Sequence, residues 1–462
     1  MRYSLDRSVR RYENGRVLVG GSPLRMLRLS SNGADLVDRL AAGEAVPVDG
    51  SSASGRLVDR LLDAGIVHPV PVPGAGPFSP ADVTVVLPVR DRSVVEVLAS
   101  IGPVGRVVVV DDGSDTPTSN VDDAVVVRRP RPGGPGAARN TGLALVTTPL
   151  VAFVDSDGEA TPGWLEPLLA HFADPLVAAV APRILGPAGL GPRSGAFARY
   201  ESVRSPLDLG PQPGPIRPGT RVAYVPAAAI VVRTDAARAI AGFDESIHIG
   251  EDVDFVWRLG EAGWRLRYEP AAVVRHRHRV EPTEWIGRRI VYGESAAPLD
   301  RRHPGNVPPL AVSRWSLAAW AFAAAGAPGL GAAVAAGSVV LLAQRLDRLD
   351  DPLGSALRIA GLGNLYAGRL IANAMVRPWW PATLAAAVVS RRARRAAVAA
   401  VLVPALLDWR RDRPPLDPVR YVGLRLLDDV AYGLGVWRGA IRERTRGPLR
   451  PRFPEVLRRR ES

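Results

Sequence analysis

LVAFVDSDGEATPGW, Leu150 to Trp164, is the stretch on which the fold turns. Leu150–Val154 is an apolar run of a length that suits a strand buried on both faces. Asp155, Ser156 and Asp157 follow it directly. In an extended segment, residues i and i+2 share a face. One ion can therefore see both carboxylates, or one carboxylate can take the ion while the other takes a ribose. Oxygen-rich sites of this kind suit Mg²⁺ or Mn²⁺ bridging a diphosphate. A D-x-D in a surface loop carries no such meaning; this one gains it from the strand behind it and from its neighbours.

Upstream, VTVVLPVRDR (Val83–Arg92), RVVVVDDGSD (Arg106–Asp115) and AVVVRR (Ala124–Arg129) also read as buried strands, as does VAAVAPR (Val177–Arg183) downstream. Such strands alternating with helical stretches predict an α/β domain with a parallel, Rossmann-type sheet from about Val83 to Gly305. Ligands bind beyond the carboxyl ends of such strands. The first strand ends at Pro88, with Arg90 just past it. The second delivers Asp111 and Asp112 to the rim, where a carboxylate can accept the imide N–H of uracil or hold a ribose. In RPGGPGAARNTG (Arg131–Gly142) the glycines let the backbone approach a ligand, and a helix opens from Ala137. Its N-terminus favours anions, and Arg139 adds a fixed positive charge.

Further on, GFDESIHIGEDVDFVWRLGEAGWRLRY (Gly242–Tyr268) sets Glu251 and Asp252 at the start of a helix. Paired, buried carboxylates are costly unless they have a task. A positioned carboxylate is the general base that an attacking hydroxyl needs. PAAVVRHRHR (Pro270–Arg279) then places His276 and His278 on a strand at i and i+2. A neutral imidazole there could complete a metal site, and His276 better fits the strand end.

Taken together, P-V-R-D, D-D-G-S, G-A-A-R-N-T-G, D-S-D, G-E-D and a following histidine resemble the family 2 glycosyltransferases of the GT-A fold. The resemblance covers about Val83 to Val280. It implies that Asp111 or Asp112 reads the nucleotide base, with Arg139 nearby and Pro88 and Arg90 bordering the donor. It implies Asp155 on the ribose side, Asp157 and His276 on a divalent ion (Mn²⁺ or Mg²⁺), His278 as a further candidate, and Asp252 as the base, with Glu251 beside it. Arg90 departs from the aromatic that often follows the first strand. The Q-x-x-R-W motif of processive polysaccharide synthases is absent, which argues against a translocating synthase.

The first zone, residues 1–70, reads as short strands, RVLVGG (Arg16–Gly21) and LRMLRL (Leu24–Leu29), then two helices. Ser31-Asn32 is the expected cap of the first helix, Gly65 ends the second, and a strand IVHPV follows. This α+β zone resembles PqqD-like winged-helix domains that bind leader peptides. Residues 71–82 have linker composition. A PqqD-like module fused to a family 2 transferase resembles the mycofactocin-system glycosyltransferases. That resemblance implies an inverting transfer from UDP-glucose that adds β-1,4-linked glucose to premycofactocin, a peptide-derived redox cofactor. Gly293–Gly305 is a candidate acceptor loop.

The third zone, 306–462, reads as helical, apolar and Arg-rich. Trp315–Ala343 carries no charge and is long enough to cross a bilayer, or to fold as a buried helical hairpin. Tyr421–Arg444 reads as an amphipathic helix whose apolar stripe is Leu427, Val430, Ala431, Leu434, Trp437 and Ile441, with Arg425, Arg438 and Arg442 snorkelling beside it. Arg391–Arg395 flanks short apolar stretches, as expected for contact with anionic lipid. The start of the chain has no apolar signal-peptide core, so the expected location is the cytoplasmic face of the membrane.

Composition agrees with these limits. At roughly 100–200 residues per domain, 462 residues predict about two to four domains. A 47% hydrophobic content excludes disorder throughout. With no cysteine, a disulfide framework, a thiolate metal site and a cysteine nucleophile are all excluded. The net charge of +13 comes from 59 basic residues against 46 acidic ones, with no lysine among them. It fits either a genomic bias towards Arg or a charged partner. Nucleic acid is not that partner, because no reader motif or aromatic interleaving accompanies the Arg. A lipid-linked or cell-wall acceptor, and a non-catalytic peptide-binding scaffold, are the competing functions.

Overall fold

The computed structural model describes residues 2–45, 52–72, 74–118, 121, 123–187, 189, 194–277, 280–347 and 349–454. These form two compact units, Met1–Leu190 with Arg204–His278, and Gly191–Val203 with Arg279–Ser462.

The first unit opens with an α+β fold: β1 (Arg2–Leu5), β2 (Arg10–Tyr12), β3 (Val17–Gly20), β4 (Arg25–Arg28), α1 (Ser31–Ala41), α2 (Ala53–Asp63) and β5 (Val67–Val70). β2, β3 and β4 form an antiparallel sheet, and β5 pairs back onto β1. The helices bury Leu36, Val37, Leu40, Val58, Leu61 and Leu62. The cap of α1 is Ser30, one residue before the expected Ser31-Asn32: Ser30 is extended, and its Oγ accepts from the Gly33 N–H at 3.2 Å. An Oγ in that position satisfies an otherwise orphaned helix donor.

The rest of the unit is built on β6 (Val83–Val89), α3 (Val95–Ile101), β7 (Arg106–Asp111), β8 (Val125–Arg128), α4 (Gly134–Ala144), β9 (Leu150–Val154), β10 (Gly158–Ala160), α5 (Leu165–Ala170) and β11 (Val177–Leu185). After α6 (Ala196–Arg204) come β12 (Gly214–Pro215), β13 (Ala229–Arg233), α7 (Thr234–Ala239), α8 (Glu251–Glu261) and β14 (Arg265–His276). Among the described residues these strands make a nine-stranded sheet in the order β10-β14-β11-β13-β9-β6-β7-β8, with β12 beside β14. β9, β6, β7 and β8 are parallel, as expected. The other half is not: β13 enters antiparallel between β9 and β11, so the sheet is mixed. Apolar runs report burial but not strand direction. The reversal sets the start of β13 beside the end of β9, and Asp155 N–H donates to Ala228 O at 2.9 Å. At the far edge Gly158 pairs with His276, which brings the end of β14 to the D-x-D.

The second unit is helical: α6, then α9 (Pro282–Glu294), α10 (Ala296–Arg302), α11 (Arg314–Ala324), α12 (Pro328–Arg345), α13 (Pro352–Ala356), a π-helical turn (Leu357–Gly361), α14 (Leu362–Val376), α15 (Trp380–Val389), α16 (Arg391–Asp412) and α17 (Pro418–Arg442). Besides residues 191–203 it takes in the chain from residue 279 on, where about 306 was the expected start, and α9 buries Trp285 against Tyr200 and Tyr421. The candidate acceptor loop is largely α10, with Ala297, Leu299 and Asp300 buried. The uncharged Trp315–Ala343 stretch is a hairpin, broken where Gly326 takes φ +85° and Pro328 starts α12. No helix among the described residues is long and apolar enough to cross a membrane.

On α17 the buried face is rotated from the expected stripe. Of that stripe Ala431 is buried but Leu434 and Ile441 are exposed, whereas Tyr421, Arg425, Asp428, Asp429 and Val436 are buried. Arg425 does not snorkel: it pairs with Asp408 and donates to Asn373 Oδ1 at 3.0 Å. Gly435 lets α17 meet α9, since a Cβ there would strike Ile290 O. Side-chain size alone misplaces a face that is packed through glycines and buried ion pairs.

Candidate active site

The carboxyl ends of β6, β7 and β9, the start of α8 and the end of β14 converge on one edge of the first unit. Arg139 lies at the centre. It is 4% exposed, carried on α4, and held over the Phe243 ring at 5.3 Å. Its Nη2 donates to Asp155 Oδ1 at 2.7 Å, and its Nη1 to Glu251 Oε1 at 3.0 Å. Burial opposes its charge, but Asp155, Glu251 and Asp252 together raise its pKa. Phe243 is fixed in turn by Asn140, which donates to Phe243 O and accepts from Phe243 N–H, both at 2.8 Å. The G-A-A-R-N and G-F-D motifs are therefore two sides of one contact.

Asp155, Asp157 and His276 offer one ligand atom each, all within 4.8 Å of one another. Two carboxylate oxygens and an imidazole nitrogen fit Mn²⁺ or Mg²⁺. His276 Nε2 lies 2.9 Å from Asp157 Oδ1, and Arg92 Nη1 donates to Asp157 Oδ2 at 2.8 Å. Burial alone would raise the pKa of Asp157; His276 and Arg92 overcome that and bring it down to about 2. The carboxylate is thus charged at neutral pH. His278 lies outside the described residues.

Asp252 and Glu251 open α8 behind Gly250, which takes φ +84°. Asp252 Oδ2 accepts from Ala227 N–H at 3.2 Å, and Oδ1 from its neighbour Val253 N–H at 2.8 Å. Burial raises the Asp252 pKa against the pull of Arg139. Burial and the nearby Asp252 charge raise that of Glu251.

Asp111 and Asp112 do different work. Asp111 is fully buried and accepts from the N–H groups of Ser114 (2.8 Å) and Thr118 (3.0 Å). Burial opposes its ionisation, but these bonds and Arg128 keep its pKa low. Asp112 accepts from Gly133 N–H (2.9 Å) and Gly134 N–H (2.7 Å), so it shapes the glycine-rich loop. Pro88 pairs with Val110 within the sheet. Arg90 is exposed and faces Asp91 at 3.6 Å.

Sequence reading missed three contributors. Arg92 follows the first strand with no pattern of its own to mark it as the partner of Asp157. Asp91, at φ +52°, accepts from Asp115 N–H at 2.7 Å and donates its own N–H to Ser114 Oγ at 2.9 Å, tying the first two motifs together. Ala227 acts through its backbone, which no side-chain pattern reveals.

Two family models match this chain: glycosyl transferase family 2 over residues 91–208 and glycosyl transferase family group 2 over residues 150–389. The chain belongs to the family 2 glycosyltransferases, and its α/β unit has the expected GT-A-type fold. It is similar over nearly its whole length to the pre-mycofactocin glycosyltransferase of Mycobacterium tuberculosis, at 44% identity over 97% of each chain. The O-antigen chain rhamnosyltransferase RfbN of Salmonella typhimurium is 26% identical over 33% of this chain and 49% of its own. Among solved structures, the mannosyltransferase PcManGT from Pyrobaculum calidifontis, in complex with GDP-Man and Mn²⁺, aligns with a TM-score of 0.36 and 20% identity. That alignment covers 63% of this chain and 90% of PcManGT.

Proposed function

We propose that the protein transfers glucose from UDP-glucose to premycofactocin with inversion, forming β-1,4 linkages, and that it uses a divalent ion. The observation that carries this reading is the pairing of an ionised Asp157 beside His276 with a second, less readily ionised carboxylate, Asp252, with Arg139 bonded to Asp155 of the first group and to Glu251 beside the second. One group suits a diphosphate-bound cation and the other suits a proton acceptor. The acceptor hydroxyl oxygen attacks the anomeric carbon, its proton passes to Asp252, and the bond to the diphosphate breaks with the electron pair leaving on UDP. Arg139 holds Asp155 and Glu251 in place during this exchange. Asp157 and His276 would hold the divalent ion, which when bound would supply charge neutralisation for the departing diphosphate. Asp111 or Asp112 reads the base. The relative's name supports the acceptor, and the α+β fold at the N-terminus is read as a PqqD-like module that presents the peptide-derived substrate.

Purified protein given Mn²⁺, UDP-glucose and premycofactocin should yield products heavier by one or more hexoses in mass spectrometry. Release of UDP without a hexose on premycofactocin, but with label entering added lipid, would favour a lipid-linked acceptor instead.

One further observation bears on location. On α16, Val398, Leu402, Val403 and Leu407 are exposed, between exposed Arg391, Arg394 and Arg395 at one end and Arg410 and Arg411 at the other. Apolar side chains flanked by Arg suit an anionic lipid surface, at about 1 kcal/mol per basic residue. The protein should float with phosphatidylglycerol vesicles and not with phosphatidylcholine. Replacing Arg391, Arg394 and Arg395 by Gln should weaken that binding about 100-fold. Equal flotation of variant and wild type would remove α16 from the contact.

A further inference from the structure

Residues 217–228 run from the N-terminal α+β fold to the catalytic centre, all within the first unit. At the start, Arg217 Nη2 donates to Asp63 O of α2 at 2.7 Å. Arg221 grips Asp6 with both terminal nitrogens, at 3.0 and 3.1 Å, and its backbone N–H donates to Ser22 Oγ at 2.6 Å. Asp6 is buried, and His68 Nε2 sits 2.9 Å from its Oδ2. Midway, Trp257 Nε1 of α8 donates to Ala223 O at 2.8 Å. At the end, Ala227 N–H donates to Asp252, and Ala228 O accepts from Asp155 N–H. Between Ala223 and Pro226 the backbone has no helix or strand. Side-chain anchors therefore set its course, helped by buried Val222 and Val225.

We propose that Asp6 and Arg221 are positioning residues for Asp252. Their bidentate ion pair fixes one end of this strap, and the other end holds the Asp252 carboxylate through Ala227. The bond that orients the base is thus set partly by an ion pair that joins residues 215 positions apart in sequence. The ion pair is charge-assisted and buried on the Asp6 side, so it constrains direction as well as distance. A group displaced by about 1 Å from its working position can cost on the order of 100-fold in rate. This inference rests on Asp252 being the base.

The test uses full-length Arg221→Gln, Arg221→Lys and Asp6→Asn beside Asp252→Asn. Arg221→Gln and Asp6→Asn should lower kcat about 10- to 100-fold, with donor KM and UDP affinity unchanged. Arg221→Lys, which keeps the charge, should recover part of the loss. Amide exchange at Ala227 should speed up in Arg221→Gln. Wild-type kcat in Arg221→Gln, with Asp252→Asn inactive, would overturn the proposal and leave the base assignment standing. Loss of UDP affinity in step with kcat would also overturn it, because that marks a general packing role. An active Asp252→Asn would instead remove the base assignment on which the proposal stands.

Discussion

Asp252→Asn should reduce transfer by about 100- to 10,000-fold, the range for removing a general base, while donor binding persists. The amide has nearly the shape of the carboxylate. Its oxygen can still accept from Ala227 N–H, so the strap and α8 keep their places. It cannot take a proton from an attacking hydroxyl. In the proposed reading the donor is anchored elsewhere, on Asp157, His276 and the β7 rim, so UDP affinity measured by calorimetry should stay near wild type. The wild-type pH profile should carry the same signature. Asp252 faces Arg139, Asp155 and Glu251, and burial sets its pKa above the ordinary carboxylate value in spite of Arg139. A base acts only when deprotonated, so kcat should climb with pH through that raised pKa. In Asp252→Asn the residual rate should lose that acid limb. Transfer by Asp252→Asn at the wild-type rate would exclude Asp252 as the base.

Much of this centre is legible in the sequence, because its chemistry lies in side chains at the ends of apolar strands. The run ending in Asp155 and Asp157, the helix opened by Glu251 and Asp252, and His276 at a strand end were legible from period and punctuation. Their convergence was not legible, because it depends on the antiparallel entry of β13 and on the pairing of Gly158 with His276. Neither strand direction nor register is written in a short apolar run. Ala227 was invisible because a backbone N–H has no residue type. The face of α17 departs from its apolar pattern for a related reason: Gly435 and the Arg425–Asp408 pair pack where the pattern predicts large apolar side chains. The two acidic residues of D-D-G-S looked equivalent, yet one closes its own turn and the other holds a neighbouring loop.

Asp157→Ala should abolish the part of donor affinity that depends on a divalent ion. Asp157 sits between His276 and Arg92, is charged at neutral pH, and contributes one of the two carboxylates in the cluster. Alanine leaves Asp155 and His276. One carboxylate and one imidazole bind Mn²⁺ poorly, and Asp155 is already engaged with Arg139. Weakening even an outer partner of a metal ligand costs about 10- to 100-fold in affinity, so loss of a direct ligand should cost at least 100-fold. Titration of UDP with and without Mn²⁺ reads this directly, without turnover. The wild type should bind UDP more tightly when Mn²⁺ is present, and Asp157→Ala should show the same weak affinity in both conditions. Folding should hold, because Asp157 lies at the rim of the sheet and the core beneath it, Val154, Val180 and Val274, is untouched. The variant also removes the carboxylate that holds Arg92, which would leave that cation free to attract a diphosphate in the proposed donor site. Metal-free UDP affinity should therefore rise slightly, not fall. A Mn²⁺-dependent gain in UDP affinity as large as that of the wild type would place the ion elsewhere and leave Asp157 as a partner for Arg92 and His276 alone.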